Sequence, residues 1–140
     1  MRDLSVTYID ETTGKLRRGF NGYPSKVSGR DWLVQKITKA LFTETGSNKY
    51  DKNVGSAFAK MIGATTDIRS IDKMTIIITQ SVEKVATDIL SEQQSLSFLT
   101  DSERLLSIEV ELINYDEATQ YWEIFLRINM ANSSVINIKV

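Results

Sequence analysis

The chain has 140 residues, 41% of them hydrophobic, with 17 basic against 18 acidic residues and a formal net charge of −1. That length supports one modest core, and the balanced charge gives no global electrostatic reason to bind nucleic acid or an anionic membrane. Cysteine and histidine are both absent, which excludes disulfides, thiolate zinc sites and thiol catalysis and removes the commonest general base and metal ligand.

In chain order, "MRDLSVTYIDET" lacks the apolar core of a signal peptide, and no later apolar run approaches the ~20 residues that span a bilayer. The expectation is a soluble protein made and used without export. Within that opening, residues 4–9 alternate Leu4, Val6, Tyr8 with Ser5, Thr7, Ile9, which predicts a strand. "DETTGK" reads as a turn around Gly14, "LRRGF" as a short returning strand, and "NGYPSKVSG" as loop holding the lone proline, Pro24.

Ser28 and Asp31 then mark a helix start. Leu33, Ile37, Ala40 and Leu41 recur on one helical face, predicting a helix over 30–43 whose narrow apolar stripe covers a core from one side. "GSNKYDKN" is a polar loop. "VGSAFAKMIG" places Val54, Phe58, Met61 and Ile62 at helical spacing, predicting a two-turn helix near 54–62 ended by Gly63. Met74, Ile78, Val82, Val85 and Ile89 predict a long helix over 71–91, although "TIIIT" inside it is β-branched. "SEQQSLSFLTDSE" follows as a polar linker.

The period then changes to two. "LLSIEVELINY" alternates Ile108, Val110 and Leu112 with Ser107, Glu109 and Glu111; "YWEIFLRINM" alternates Trp122, Ile124, Leu126, Ile128 and Met130 with polar partners. "VINIKV" alternates Ile136, Ile138 and Val140 with Val135, Asn137 and Lys139. Short turns join the three, predicting an antiparallel meander with strands near 105–114, 120–130 and 134–140. The fold class expected is α+β: a small antiparallel sheet with a C-terminal three-strand meander, packed by two or three helices. We expect a single domain over 1–140, with an N-terminal strand or hairpin arm at 1–22, a helical part at 23–92 and the sheet at 93–140.

Carboxylates are the general acid/base candidates that remain. A glycosidase needs two of them facing each other, one with a raised pKa. Glu109 and Glu111 share a strand face by alternation, which reads as the wet side of the sheet rather than a catalytic pair. "DKNVG" lacks the repeated acids of a calcium loop, and the seven glycines form no phosphate-binding pattern. No catalytic residue, metal ligand or cofactor site is expected. The first and last strands are short, and at least one should lie at a sheet edge open to strand addition.

From Gly29 onward the order of motifs resembles a known family. Gly29 precedes the helix, "LVQKI" holds Gln35, Leu41 and Thr43 follow, Gly46 opens the polar loop, and "NVG" closes it at Gly55. A long helix, a polar link and a C-terminal antiparallel sheet come next. This order resembles the small baseplate wedge proteins, or tail-sheath initiators, of contractile phage tails, which have a relative in the baseplate of type VI secretion systems. The family's Glu-Pro-Arg step before the sheet corresponds to "SERLL", where Glu103 and Arg104 are adjacent and the proline is absent. The resemblance implies a structural virion protein of the tail baseplate, assembled in the host cytoplasm. It implies six copies in a ring, contacts with other wedge proteins and the tail sheath, and the tail tube as a further candidate partner. Gln35, Gly46, Tyr50, Gly55, Glu103 and Arg104 would then lie at partner interfaces. The strand Val135, Ile136, Asn137, Ile138, Lys139 and Val140 would exchange with sheath subunits. The expected absences are enzyme activity, nucleic acid and membrane. The alternative reading, from another class, is a lysozyme-like baseplate enzyme.

Overall fold

The computed structural model describes residues 3–4, 7–9, 16–18, 26–62 and 70–140. Four short strands come first: β1 (Asp3–Leu4), β2 (Thr7–Ile9), β3 (Leu16–Arg18) and β4 (Lys26–Val27). They form two separate antiparallel pairs, β1 with β4 and β2 with β3. The strand expected over 4–9 is therefore two pieces with different partners, and "LRRGF" does supply a returning strand. The expected turn around Gly14, the loop around Pro24 and the stop at Gly63 lie outside the described residues.

Three helices follow: α1 (Gly29–Phe42), α2 (Phe58–Ile62) and α3 (Ile71–Gln94). The "TIIIT" segment is helical, because Ile78, Val82, Val85 and Ile89 place one buried stripe along α3 that a strand would scatter. Helix α2 begins four residues later than its apolar spacing predicts. Gly55 sits at φ +106° and Ser56 bridges back to Glu44, so 54–57 belong to the loop. Helix α1 buries more than a narrow stripe: Trp32, Val34, Gln35 and Thr38 join Leu33, Ile37 and Leu41. It packs against both α2 and α3, and contact from two sides widens the buried arc.

Strands β5 (Leu105–Asp116), β6 (Tyr121–Met130) and β7 (Val135–Lys139) make the antiparallel sheet, in the order β5-β6-β7. The protein is thus a small α+β fold. Helix α3 packs against β5 and against α1 and α2. Ile124, Leu126, Ile128, Met130 and Ile138 face the helices and join their buried residues in one core. Each such side chain contributes roughly 1.5–3 kcal/mol by leaving water.

Strand β5 corrects the simple alternation. Its register with β6 shifts between Leu105 and Ser107, and again between Val110 and Leu112. The second shift inserts Glu111, and one extra residue exchanges the faces of everything after it. Val110 pairs with Leu126 on the core side, but Leu112 pairs with Phe125 on the outer side and is 54% exposed. Ile113 takes the inward place opposite Ile124, and Tyr115 stacks on Trp122 with ring centroids 4.8 Å apart.

Candidate functional site: an open strand edge and a closed loop

The sheet has two edges, and they differ. Ile124 and Val140 exchange both backbone hydrogen bonds, at 3.2 and 2.8 Å, and Met130 N–H donates to the Ser134 carbonyl at 3.1 Å. In an antiparallel ladder inward-pointing residues alternate. So Ser134, Ile136, Ile138 and Val140 aim their backbone groups at β6. Val135, Asn137 and Lys139 aim theirs away from it, and among the described residues no strand meets them. Side chains alternate in the same register. Ile138 is buried, Ile136 and Val140 are half-buried toward the core, and Asn137 is exposed.

Lysine on an edge strand commonly wards off pairing. Here Lys139 does not stand out past the edge. Its ammonium reaches back over β6 to the Glu123 carboxylate and lies 5.5 Å from the Phe125 ring centroid. The hydrogen bond from Lys139, and then its charge, hold Glu123 below the ordinary carboxylate range. Edge β5 is blunted instead. Its two register shifts break the ladder, and the Gln93 side chain occupies the backbone of Leu105. Gln93 Nε2 donates to the Leu105 carbonyl at 2.8 Å, and Leu105 N–H donates to Gln93 Oε1 at 3.0 Å. The side-chain amide takes the place that another strand's peptide would occupy.

The polar loop between α1 and α2 is closed at its neck. Phe42 and Phe58 meet edge to face at 5.3 Å. Ser56 N–H donates to the Thr43 carbonyl at 2.8 Å, and Ser56 Oγ donates to the Leu41 carbonyl at 2.7 Å. Gly55 belongs to this neck: a Cβ there would lie 2.4 Å from the Thr43 carbonyl oxygen, at a φ that side chains disfavour. From α3, the Lys84 ammonium donates to the carbonyls of Asn53 (2.7 Å) and Gly55 (2.9 Å) and to Asp88 (2.7 Å). At the tip, Asn48 Oδ1 accepts from the N–H groups of Tyr50 and Asp51, and Asp51 accepts from Asn53 N–H. Gly46 takes φ +87°, and its carbonyl receives Lys52 Nζ. Tyr50 stands at the tip, 94% exposed. Beside the loop, Lys36, Asp51, Asn53, Asp88 and Glu92 line a groove of about 620 Å³, with the Lys36–Glu92 ion pair (2.8 Å) on its wall.

Of the expected interface residues, two are buried and Arg104 is half-buried. Gln35 is 1% exposed and Glu103 2%, so both side chains face the chain's own interior. Glu103 caps α1 from 74 residues away. Its Oε1 accepts from Gly29 N–H at 3.0 Å and its Oε2 from Thr100 N–H at 3.1 Å. Ser28, the local cap position, makes no side-chain bond to the helix. Burial raises the pKa of this carboxyl, but the hydrogen bonds it accepts, those from Thr100 and Gly29 among them, outweigh burial and lower it from 4.5 to about 2. Arg104 is half-buried and donates to the Leu96 carbonyl at 3.1 Å. Gly46, Tyr50 and Gly55 do share one loop, and β7 forms the open edge.

Sequence reasoning passed over Lys84 and Gln93, both polar positions on a helix. Nothing local signals that they bind backbone from distant segments. Among the described residues no group of three or more acidic side chains is placed to hold a metal ion, and no helix is long and apolar enough to cross a membrane. No protein-family model and no curated protein matches this chain.

Proposed function

We infer that the chain is a structural protein of a contractile phage tail: a baseplate wedge component that joins the inner baseplate ring and starts the sheath by pairing strands with sheath subunits. The observation that carries this is the open outer edge of β7, whose backbone groups at Val135, Asn137 and Lys139 have no strand partner among the described residues. The contrast with β5 supports it. Aggregation control would blunt both edges, whereas this sheet caps the first residue of β5 with Gln93 and interrupts that strand with two register shifts, and leaves β7 regular. An added strand would gain main-chain hydrogen bonds, with register set by the alternating side chains. The order of motifs from Gly29 to the terminal sheet, which resembles the sheath-initiator family, supplies the partner class.

The alternative, peptidoglycan cleavage, finds little support. A general acid needs a raised pKa, and Glu103 is shifted the other way while its oxygens cap α1. Glu123 pairs with Lys139, and Glu109 accepts from Asn129 Nδ2 at 3.2 Å.

Deleting the gene and examining the particles tests the proposal. The expected result is tail tubes or baseplates without sheath, restored by supplying the chain. Normally sheathed tails in its absence would overturn the reading. Cleavage of peptidoglycan by the purified protein, abolished by a carboxylate-to-amide substitution, would favour the enzyme.

A further inference from the structure

We propose that in the isolated chain the outer edge of β7 is covered by β7 of a second copy, antiparallel to it about a two-fold axis at Asn137, so that two three-stranded sheets join as one of six strands. The inference rests on the reading of this edge as one that receives a strand, and names the occupant it takes when no other protein is present. Strand β7 pairs with β6 without a register shift, and no strand lies on its other side among the described residues. Val135, Asn137 and Lys139 point their N–H and C=O groups outward. Their even spacing about Asn137 makes the edge self-complementary.

In an antiparallel pair, two residues that exchange both hydrogen bonds lie directly opposite each other. With Asn137 opposite its own copy, Val135 of one chain faces Lys139 of the other, and every outward N–H and C=O of both strands is paired. Other antiparallel registers leave some of them bare. Centring on Val135 or Ile136 would draw in Ser133, which sits in the turn before β7 at φ +63°. Centring on Ile138 or Lys139 would carry Val135 past the end of the facing strand, and the Lys139 centre would also set two ammonium groups opposite each other. The side chains agree with the Asn137 register. An amide both donates and accepts, so Asn137 can meet its twin. Lys139, drawn back to Glu123, faces Val135 rather than another charge. On the inner face Ile136 stands opposite Ile138 twice, and the second copy would cover the half-buried Ile136. The long helix α3 packs on β5, the strand farthest from this joint, so it does not stand in the way of the second sheet.

The sequence contains no cysteine, so introduced thiols report the register directly. Opposed Cα atoms in a hydrogen-bonded pair lie about 5.5 Å apart, a distance that a disulfide spans. Asn137→Cys should therefore form a covalent dimer on mild oxidation. The two copies of Val135→Cys would lie about 13 Å apart along the strands, too far to link to each other, whereas Val135→Cys mixed with Lys139→Cys should link across the joint. In sedimentation velocity the unmodified chain should form a dimer. Val135→Lys, which sets ammonium groups opposite each other in both symmetric pairs, should raise the dissociation constant about tenfold over Val135→Glu, and salt should narrow that difference. A chain that stays monomeric overturns this inference, as does a dimer in which Asn137→Cys links no better than Val135→Cys, or equal dissociation constants for Val135→Lys and Val135→Glu. None of these results bears on sheath nucleation, which is judged on the particles; normally sheathed tails without the chain overturn that function and leave the dimer standing.

Discussion

Replacing Glu103 by Gln gives the sharpest test of how this fold is held. The carboxylate is 2% exposed and accepts backbone N–H groups on both oxygens, from Gly29 at 3.0 Å and Thr100 at 3.1 Å. Glutamine keeps one acceptor oxygen and turns an NH2 toward the second donor, so one backbone N–H is left facing another donor. The magnitude follows from the pKa. Glu103 falls from 4.5 to about 2 on folding, and each unit is worth about 1.4 kcal/mol, so about 3 kcal/mol is the upper bound for all the hydrogen bonds the carboxylate accepts, those from Gly29 and Thr100 being a part of it. The sign is that of a depressed carboxyl. Its contribution is complete above the unfolded value near 4.5 and disappears as pH falls through about 2, because between the two the unfolded chain binds the proton more readily. Urea titrations of wild type and Glu103→Gln at pH 7, 4, 3 and 2 should show a stability gap of about 1–3 kcal/mol at neutral pH that narrows toward pH 2. A gap that stays constant across that range, or no gap at pH 7, would refute the remote cap.

Ile124→Ala, at a site 1% exposed in the centre of β6, should cost about 2–5 kcal/mol in the same titration; a loss under about 0.5 kcal/mol would place it outside the core. Leu112→Ser should change stability by less than about 0.5 kcal/mol, because the shift at Glu111 turns Leu112 outward; a core-sized loss would show that the register of β5 is continuous. Gly55→Ala should destabilise by about 1–3 kcal/mol, since φ +106° and the Thr43 carbonyl 2.4 Å away both oppose a Cβ; an unchanged thermal midpoint would show that the neck can relax.

The regular elements were legible because their periods are strong. Ile78, Val82, Val85 and Ile89 mark α3, and Trp122, Ile124, Leu126, Ile128 and Met130 mark β6. What escaped the sequence is whatever depends on one inserted residue or on a distant partner. Ile108, Val110 and Leu112 look like one face, and only pairing with β6 reveals that Glu111 is extra and that Ile113 takes the inward place. Glu103 looks like a surface acid, yet it closes a helix that starts 74 residues earlier. No local signal pointed to it: Ser28 reads as the helix cap, and only the structure shows that its side chain makes no capping bond. At the candidate site, the alternation of "VINIKV" gave the strand and its inward face. Its openness depends on Lys139 folding back to Glu123, and its contrast with β5 on Gln93 capping Leu105, neither of which spacing can express.

The central claim is that the outer edge of β7 receives a strand, and Asn137→Pro tests it most directly. The backbone N–H of Asn137 points away from β6, so proline there removes an outer donor while leaving the bonds of Ile136, Ile138 and Val140 to β6 in place. Far-ultraviolet circular dichroism and a urea titration would first establish that the variant is folded. Tails would then be assembled with it and sheathed particles counted by electron microscopy. The account predicts baseplates that carry the variant but fail to nucleate sheath, with Lys139→Gln behaving as wild type. Normal sheath on Asn137→Pro baseplates would contradict it.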